Sequence, residues 1–188
     1  MKNNNSKPLL RKQTLAARSA ISSKQKNLAV NNAAKLFIKN IPMNHNDIIA
    51  AYWPISGELD CLPLVEQLWA RGHQICLPVT IAENKPLIFR VWQKGQKLID
   101  GGHGIKTPDK NTSILVPNII IMPLVAFDKK GARLGYGKGY YDRTIAKMEQ
   151  KPLLVGYGFA LQEVEHINSE SHDAPLDYVV SEKKVVKF

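Results

Sequence analysis

Ile119-Ile-Ile-Met-Pro-Leu-Val-Ala-Phe127 is the most hydrophobic stretch of the chain, and Asp128-Lys-Lys-Gly-Ala-Arg-Leu-Gly-Tyr-Gly-Lys-Gly-Tyr-Tyr-Asp-Arg143 follows it directly. An uninterrupted apolar run of this length predicts a strand that is buried on both faces, at the centre of a sheet. The glycines of the second segment predict a loop, which leads into a helix over residues 140–149. We expect the fold to be organised around this strand, loop and helix.

Helices and strands alternate along the rest of the chain. Apolar spacing of three to four residues predicts helices over residues 7–20 and 61–70. The caps Ser22 and Ser23 predict a further helix up to Lys39, with Leu28 and Phe37 facing inward. Short apolar runs bounded by Gly and Pro predict strands over residues 47–52, 73–79, 87–92, 153–159 and 178–181. Residues 94–118, rich in Gly, Pro, Lys and Asp, are expected to be mostly loop.

This alternation predicts an α/β fold: a single three-layer Rossmann-like domain over residues 1–188 with a mostly parallel central sheet. No internal repeat and no linker divides the chain. Ligands of such sheets bind at the carboxyl ends of the strands. Two loops are expected there: residues 53–60, called the tryptophan loop below, and residues 128–139, called the glycine-rich loop.

Composition excludes several classes of protein. The 188 residues are 44% hydrophobic and 22% charged, as in ordinary soluble domains. No apolar run approaches the roughly 20 residues of a membrane span, and the polar N-terminus lacks the apolar region of a secretory signal. A cytoplasmic location and no membrane partner are therefore expected. Cys61 and Cys76 lie outside any metal-binding spacing, which favours buried thiols over a zinc site or a disulfide.

Positive charge is concentrated near the N-terminus. The formal net charge is +10, and the first acidic residue is Asp47. Such a field attracts anions, which include nucleic acid, nucleotides and polyanionic small molecules. Charge does not distinguish among these ligands, and a basic helix face that only contacts solvent gives the same pattern.

The glycine-rich loop has the composition of an anion-binding site. Four glycines within nine positions let the main chain approach a ligand closely, and their amides, followed by a helix N-terminus, favour a polyphosphate. Arg133 and Lys138 add positive charge. The segment is not a P-loop, because Lys138 is followed by Gly139 rather than by Ser or Thr, and its spacing does not fit the dinucleotide fingerprint. A glycine-rich turn without a function is the alternative.

The segment GARLGYGKGYYDR, residues 131–143, resembles the signature of 5-formyltetrahydrofolate cyclo-ligases, also called 5,10-methenyltetrahydrofolate synthetases. Four further segments are similar to family motifs, in the family's order: the basic pair Lys7 and Arg11 continuing to Arg18, and residues 52–60, 104–108 and 172–177. Two positions depart from the family pattern. His103 replaces an aromatic residue, and Thr107 replaces a glutamate.

The resemblance implies a reaction that needs no protein nucleophile. ATP phosphorylates the formyl oxygen of 5-formyltetrahydrofolate, N10 attacks the activated carbon, and the products are 5,10-methenyltetrahydrofolate, ADP and phosphate. Catalysis then consists of positioning and charge neutralisation. No persuasive Ser/His/Asp or Cys/His set competes with this interpretation.

The resemblance also implies which residues form the site. Lys138 and Arg133 are the catalytic candidates. The ATP contacts are expected from Lys7, Arg11, Arg133, Leu134, Gly135, Tyr136, Gly137, Lys138, Gly139, Tyr140 and Tyr141. The folate contacts are expected from Trp53, Glu58 and Tyr140. Glu58 could bind the pterin edge or orient and deprotonate N10. The carboxylates of Asp142 and Asp177 are expected to hold Mg²⁺.

Each of these residues also has an ordinary structural interpretation: a stabilising first-turn carboxylate for Asp142, a turn residue for Asp177, and a core aromatic for Trp53. The expected partner is the folate, which can carry a polyglutamate tail, with no nucleic acid and a monomeric protein. A nucleic-acid-binding protein is the main alternative, although no helix-turn-helix, zinc-finger or RNP motif supports it. A sugar-phosphate isomerase on a similar scaffold is the other, and the Gly/Lys/Tyr-Tyr-Asp segment argues against it.

Overall fold

The computed structural model describes residues 6–102 and 104–188, so the departure at His103 lies outside the described residues. Four α-helices have the bounds α1 Lys7–Ser19, α2 Ser23–Asn40, α3 Leu62–Ala70 and α4 Tyr140–Ile145. The strands are β1 Ile48–Ala50, β2 Gln74–Thr80, β3 Leu87–Val91, β4 Ile99–Asp100, β5 Lys106–Thr107, β6 Ile114–Leu115, β7 Ile119–Pro123, β8 Ala126–Asp128, β9 Arg133–Leu134, β10 Leu153–Tyr157, β11 Glu163–Val164, β12 Tyr178–Val180 and β13 Val185–Lys187.

The main sheet has the strand order β13-β12-β10-β7-β1-β2-β3-β6. Its five middle strands, from β12 to β2, pair in parallel, while β13, β3 and β6 pair antiparallel at the two edges. The predicted α/β class with a mostly parallel central sheet is confirmed, and the hydrophobic run from Ile119 forms its fourth strand. The finer assignment to a three-layer Rossmann-like domain stays a prediction.

Successive residues of the middle strands alternate between two hydrophobic clusters, one on each face of the sheet. Ile49, Ile75, Ile119, Val155 and Val180 pack in the cluster that contains buried residues of α2 and α3. Their neighbours Ala50, Cys76, Ile120, Leu154 and Val179 pack in the second cluster, against which α4 lies. Because both faces are covered, these strands read as continuous apolar runs in the sequence.

A second, smaller sheet carries the glycine-rich loop. It has the order β11-β8-β9, and β8 and β9 form an antiparallel hairpin around the turn at residues 129–132. Leu10 of α1 packs with Ala126, Leu134 and Ile167 in a separate cluster on this sheet. Helix α1 therefore docks against the loop rather than against the main sheet, with Leu10, Thr14 and Arg18 as its buried stripe.

Several sequence predictions need correction. The apolar run 119–127 is not one strand, because Pro123 has no N–H for the ladder and the chain passes from β7 into β8 of the second sheet. Residues 94–118 are mostly loop as predicted, with three short strands among them, whereas β13 follows the strand that we expected to be the last. Helix α4 ends at Ile145 and continues only as tighter turns through Met148. Leu28 is 59% exposed, because the buried stripe of α2 runs through Ala29, Val30, Ala33, Ala34 and Phe37.

The predicted cap at Ser22 and the burial of both cysteines are confirmed. The Ser22 side chain accepts from the Gln25 N–H and forms a capping box with Gln25 at the start of α2. Cys61 and Cys76 are free and buried. Among the described residues, the helices are all too short or too polar to span a membrane.

Candidate functional site

The two predicted loops meet at the same edge of the sheet. The tryptophan loop leaves the carboxyl end of β1, and the chain that becomes the glycine-rich loop leaves the carboxyl end of the neighbouring strand β7. Parallel strands release their following loops on one side of a sheet, so the two loops lie side by side. Helix α1 covers the glycine-rich loop from outside.

Asp128 fixes the start of the glycine-rich loop. Its buried carboxylate accepts hydrogen bonds from the N–H groups of Lys130 (2.9 Å), Ala132 (3.0 Å) and Ile167 (3.0 Å). Gly131 completes the turn with φ of +82°, and a methyl group there would lie 3.0 Å from the Leu176 carbonyl and the Phe188 ring. The turn is thus held from inside the protein, before the chain reaches its charged residues.

We expect Asp128→Asn to destabilise the protein by about 2–3 kcal/mol, because one acceptor becomes a buried amide that faces N–H donors. Chemical denaturation would measure the change. Asp100→Asn is the matched control, since Asp100 is exposed and accepts from the Gly102 N–H in a similar turn; a change of at most about 0.5 kcal/mol is expected there. Equal effects of the two substitutions would contradict a special role of Asp128 in the loop.

Three alternate glycines of the loop each make room for an arginine. A methyl group on Gly135 would lie 2.9 Å from Arg133 Nη1, one on Gly137 would lie 3.2 Å from Arg11 Nη2, and one on Gly139 would lie 2.9 Å from Arg143 Nη1. These contacts come from β9, α1 and α4 respectively. The glycine spacing therefore brings three guanidinium groups against one stretch of main chain, which is a strongly anion-attracting arrangement.

Arg133 has its own partners behind the loop. Its Nη2 atom lies 3.1 Å from Asp142 Oδ1, with side chains that are 7% and 13% exposed, and its guanidinium lies 5.7 Å from the centre of the Tyr141 ring. Asp142 Oδ1 also accepts from the Ala174 N–H at 3.2 Å. Burial raises the pKa of the Tyr141 hydroxyl. The ion pair with Asp142 holds the Arg133 guanidinium beside the glycine-rich loop.

Lys138 and Arg143 lie at the mouth of the site. Lys138 is exposed, and its carbonyl accepts from Arg143 Nη2 at 2.6 Å. Arg143 also covers the Tyr140 ring, at 5.3 Å from its centre. Gly137, Lys138, Tyr140, Arg143, Asn84 and His172 are among the residues that line a cavity of about 360 Å³. The cavity is therefore bordered on one side by the predicted ATP residues.

The first turns of α1 bring Lys7 and Arg11 to the same place. Arg11 Nε donates to the Gly135 carbonyl at 2.8 Å. Lys7 Nζ lies 2.7 Å from Glu170 Oε1 and 3.0 Å from Asp173 Oδ2. Burial lowers the pKa of Lys7, but the hydrogen bonds to these two carboxylates outweigh it and raise the pKa above its usual value.

Glu58 is the buried carboxylate of the tryptophan loop. It follows a tight turn in which Ser56 and Gly57 have φ of +50° and +73°, and its Oε2 atom accepts from the Ile55 N–H at 2.9 Å. Burial raises the pKa of Glu58 to about 7, against the opposing effects of that N–H, the Arg18 charge and a hydrogen bond from Tyr136. A carboxyl group with this pKa can exchange a proton near neutral pH.

Trp53 belongs to an aromatic cluster next to this turn. Its ring packs edge-on against Trp92 at 6.2 Å, and Trp92 packs against Trp69 at 4.7 Å. All three side chains are partly exposed. Trp53 thus combines the core packing that we considered with partial exposure to solvent.

Arg18 connects the two loops from within the protein. Its side chain is 1% exposed, and its guanidinium donates to the Ser56 carbonyl at 3.0 Å and to the Tyr136 hydroxyl at 2.6 Å. Ser56 belongs to the tryptophan loop and Tyr136 to the glycine-rich loop. Leu134, also in the predicted ATP set, is buried in the small core under α1.

The two carboxylates that we predicted as metal ligands have different surroundings. Asp142 lies behind the glycine-rich loop, whereas Asp177 Oδ2 accepts from the Leu154 N–H at 2.8 Å and Oδ1 lies 3.7 Å from Lys151 Nζ. The described part of the chain holds no group of three or more His, Cys, Asp or Glu side chains that could bind a metal ion. Both assignments stay predictions.

Sequence reasoning missed Arg143 and Asp173 as site residues and left Arg18 without a role. Arg143 is the last residue of the glycine-rich signature, and Asp173 lies in the same motif as Asp177, so the motifs could have indicated both residues. The Arg143 contact with Gly139 is local, within one helical turn, whereas the Asp173 contact with Lys7 depends on tertiary packing. Thr107, one of the two departures, is buried in β5.

Comparisons with known proteins agree on one family. The sequence model of the 5-formyltetrahydrofolate cyclo-ligase family matches residues 3–182. The 5-formyltetrahydrofolate cyclo-ligase of Escherichia coli (strain K12) is 35% identical over 176 residues, which cover 89% of this chain and 96% of that protein. The enzyme of the same name from Haemophilus influenzae is 31% identical over 173 residues, which cover 89% of this chain and 92% of that protein.

Two solved structures have the same fold. The 5,10-methenyltetrahydrofolate synthetase of Aquifex aeolicus aligns with a TM-score of 0.81 at 29% identity and covers 96% of this chain and 92% of its own. The 5,10-methenyltetrahydrofolate synthetase of Mycoplasma pneumoniae aligns with a TM-score of 0.76 at 26% identity, and the alignment covers 95% of this chain and 99% of that chain. Both agree with the family that the sequence motifs indicate.

Proposed function

This chain belongs to the 5-formyltetrahydrofolate cyclo-ligase family, and from that premise we propose how its residues carry out the cyclisation of 5-formyltetrahydrofolate to 5,10-methenyltetrahydrofolate. The observation that carries the proposal is the convergence of Arg11, Arg133 and Arg143 on three alternate glycines. This convergence lies beside a second loop whose buried Glu58 has a pKa of about 7. One loop suits a polyphosphate and the other suits a ligand with N–H groups.

ATP supplies the phosphoryl group that bonds to the formyl oxygen, so that N10 can bond to the formyl carbon while the carbon–oxygen bond breaks and phosphate leaves. The glycine-rich loop is proposed to bind the triphosphate through its amides and the surrounding cations. Arg133, held in place by Asp142 at 3.1 Å, stabilises charge on the transferred group. Lys138 is exposed at the cavity mouth, where its flexible side chain can follow the γ-phosphate.

Lys7 and Arg11 complete the phosphate site from α1. Arg11 is tied to the Gly135 carbonyl through Nε, which leaves its terminal nitrogens for an anion. The Lys7 ammonium has three donors, so it can hold Asp173 and a phosphate oxygen together. The ion pairs of Lys7 with Glu170 and Asp173 fix its position on the C-terminal segment.

Mg²⁺ would neutralise phosphate charge, and the surroundings of Asp142 fit it best. Magnesium in nucleotide sites commonly uses one or two protein carboxylates together with phosphates and water. Asp142 accepts from the N–H of Ala174, so the neighbouring carboxylate of Asp173, which contacts Lys7, lies near the same edge of the loop. We propose Asp142 and Asp173 as the ligand pair. Asp177, bound to Leu154 at the start of β10, stays the sequence-based alternative.

Glu58 and Trp53 are proposed to face the folate. N10 loses its proton when the methenyl bridge forms, and a carboxylate with a pKa near 7 is a suitable acceptor. The same carboxylate also suits the N–H donors of a pterin, and the two roles differ in whether kcat or KM responds to its removal. Trp53 offers a partly exposed ring for stacking, with Tyr140 on the opposite loop.

Product formation tests the activity directly. We expect the absorbance band of the methenyl product to appear only when 5-formyltetrahydrofolate, ATP and Mg²⁺ are all present, and to be absent when any one of them is omitted. A folded protein that gives no product under these conditions would overturn the proposed function. Nucleic-acid binding that falls steeply with salt would then become the leading interpretation.

Further aspects stay proposals. The net charge of +10 would attract the carboxylates of a folate polyglutamate tail. A monomeric state and a cytoplasmic location are expected from the sequence, and the whole chain is proposed to act as one domain.

A further inference from the structure

Arg18 is buried in a way that packing alone does not explain. Its side chain is 1% exposed in the last turn of α1. Its three hydrogen-bond acceptors are neutral: the Leu124 carbonyl at 3.3 Å, the Ser56 carbonyl at 3.0 Å and the Tyr136 hydroxyl at 2.6 Å. Burying a guanidinium is unfavourable without strong compensation. Arg18 also lies near enough to the Glu58 carboxylate for its charge to lower the pKa of that group, so the buried guanidinium acts on the site as well as on packing.

The three acceptors belong to three different parts of the site. Leu124 follows the central strand β7, Ser56 lies in the strained turn that precedes Glu58, and Tyr136 lies between Gly135 and Gly137 of the glycine-rich loop. One cation therefore joins the loop proposed for folate to the loop proposed for ATP. The fixed strand end serves as a common anchor.

Tyr136 is the member of this connection that lies in the glycine-rich loop. It is 42% exposed, and the glycine that follows it has φ of +100°. Its hydroxyl accepts from Arg18 and is near enough to the Glu58 carboxylate to lower the pKa of that group. The Tyr136 side chain belongs to the same segment as the main-chain amides of residues 135–139, so a shift of those amides toward a bound anion would also shift the Tyr136 hydroxyl.

We propose that Arg18 and Tyr136 act as positioning residues that couple the two binding steps, so that an ordered glycine-rich loop holds the Ser56–Glu58 turn ready for folate. The inference rests on the proposed function. Coupling between two sites is reciprocal, so each ligand tightens the binding of the other by the same factor. Neither residue is assigned a contact with the reacting atoms.

Calorimetric titration of the full chain tests this coupling without turnover. In the unsubstituted protein, a non-hydrolysable ATP analogue with Mg²⁺ is expected to lower the Kd for 5-formyltetrahydrofolate by about tenfold, within the usual range of coupling. Tyr136→Phe keeps the ring but removes the hydroxyl. It is expected to reduce the coupling factor, which is the ratio of the folate Kd values without and with the ATP analogue, to about twofold or less, whatever the affinity of each ligand alone.

Two further variants complete the design. Arg18→Lys keeps the charge, but a point donor cannot hold three acceptors in a fork, so we expect the same loss of coupling. Tyr178→Phe is the matched control, since Tyr178 lies in β12 under Lys187, and it should keep the full factor. Thermal melting within about 3 °C of the parent protein would show that Tyr136→Phe is folded.

The outcomes separate this inference from the proposed function. If the parent protein binds both ligands and forms product, yet shows no coupling, the inference is overturned and the function stands. If Tyr136→Phe keeps the parent's coupling factor, the inference is likewise overturned. Failure of the parent protein to bind either ligand would instead count against the proposed function.

Discussion

Lys138→Ala is expected to lower kcat by about 10²–10³-fold, the usual effect of removing one preorganised charge from a transferring group. Lys138 is exposed and lies between two glycines at the cavity mouth. Its side chain has no packing role to lose, so the effect should fall on catalysis and leave the melting temperature within about 2 °C of the parent value. Initial rates of methenyl-product formation at saturating ATP would measure it.

Lys129→Ala provides the matched control for this substitution. Lys129 is exposed in the same loop, at the turn held by Asp128, and its substitution removes the same charge at a position that does not line the cavity. We expect a change of less than about threefold in kcat, since a screened surface charge contributes little. Equal losses in the two variants would mean that Lys138 acts only through the overall field of the protein.

Glu58→Gln is expected to lower kcat by about 10²–10⁴-fold if Glu58 accepts the N10 proton, as for removal of a general base. The pH dependence gives an independent readout. Burial raises the pKa of Glu58 to about 7, so the active carboxylate form increases as pH rises through 7. The parent enzyme should therefore lose activity below about pH 7. The variant, which has no carboxyl group at this position, should not show this loss.

The groups that set this pKa come from several elements. The Ile55 N–H, Arg18 of α1 and the Tyr136 hydroxyl lower the pKa of Glu58 and so oppose the effect of burial. In turn, the Glu58 charge contributes to the raised pKa of the Tyr52 and Tyr141 hydroxyls. Glu66→Gln, an exposed change on α3 that removes an ion pair with Lys94, is the control. A variant of Glu58 with unchanged kcat and a raised KM would assign it to pterin binding instead.

The sequence predicted the glycine-rich loop, the tryptophan loop and the metal ligands to different extents. The glycine-rich loop could be recognised as an anion site because glycine spacing and nearby cations are properties of one contiguous segment. The tryptophan loop could be placed at the sheet edge because a loop that follows a strand of a parallel sheet leaves from the carboxyl end of that strand. The ligand pair for Mg²⁺ could not be chosen this way, since Asp173 and Asp177 share one motif and differ only in what they contact.

Predictions from local sequence patterns were wrong where tertiary structure interrupts an element or selects its buried face. The run from Ile119 to Phe127 is uniformly apolar, yet Pro123 ends its pairing in the main sheet and Val125 donates to Leu134 in the hairpin of the second sheet. Leu28 was expected inside, but the buried stripe of α2 passes one position away from it. Apolar composition predicts burial in general, and only the packing partners select the residues.

Sequence by itself determined the α/β class, the position of the central strand, the anion-attracting loop and the family to which the chain belongs. These depend on periodicity, on glycine spacing and on motifs within short segments. Tertiary structure alone decided that Arg11 of α1 joins Arg133 and Arg143 beside successive glycines, that Arg18 joins the two loops, and that burial raises the pKa of Glu58 to about 7. The physical reason is that charge interactions and desolvation depend on distances between residues far apart in the chain, which no local pattern specifies.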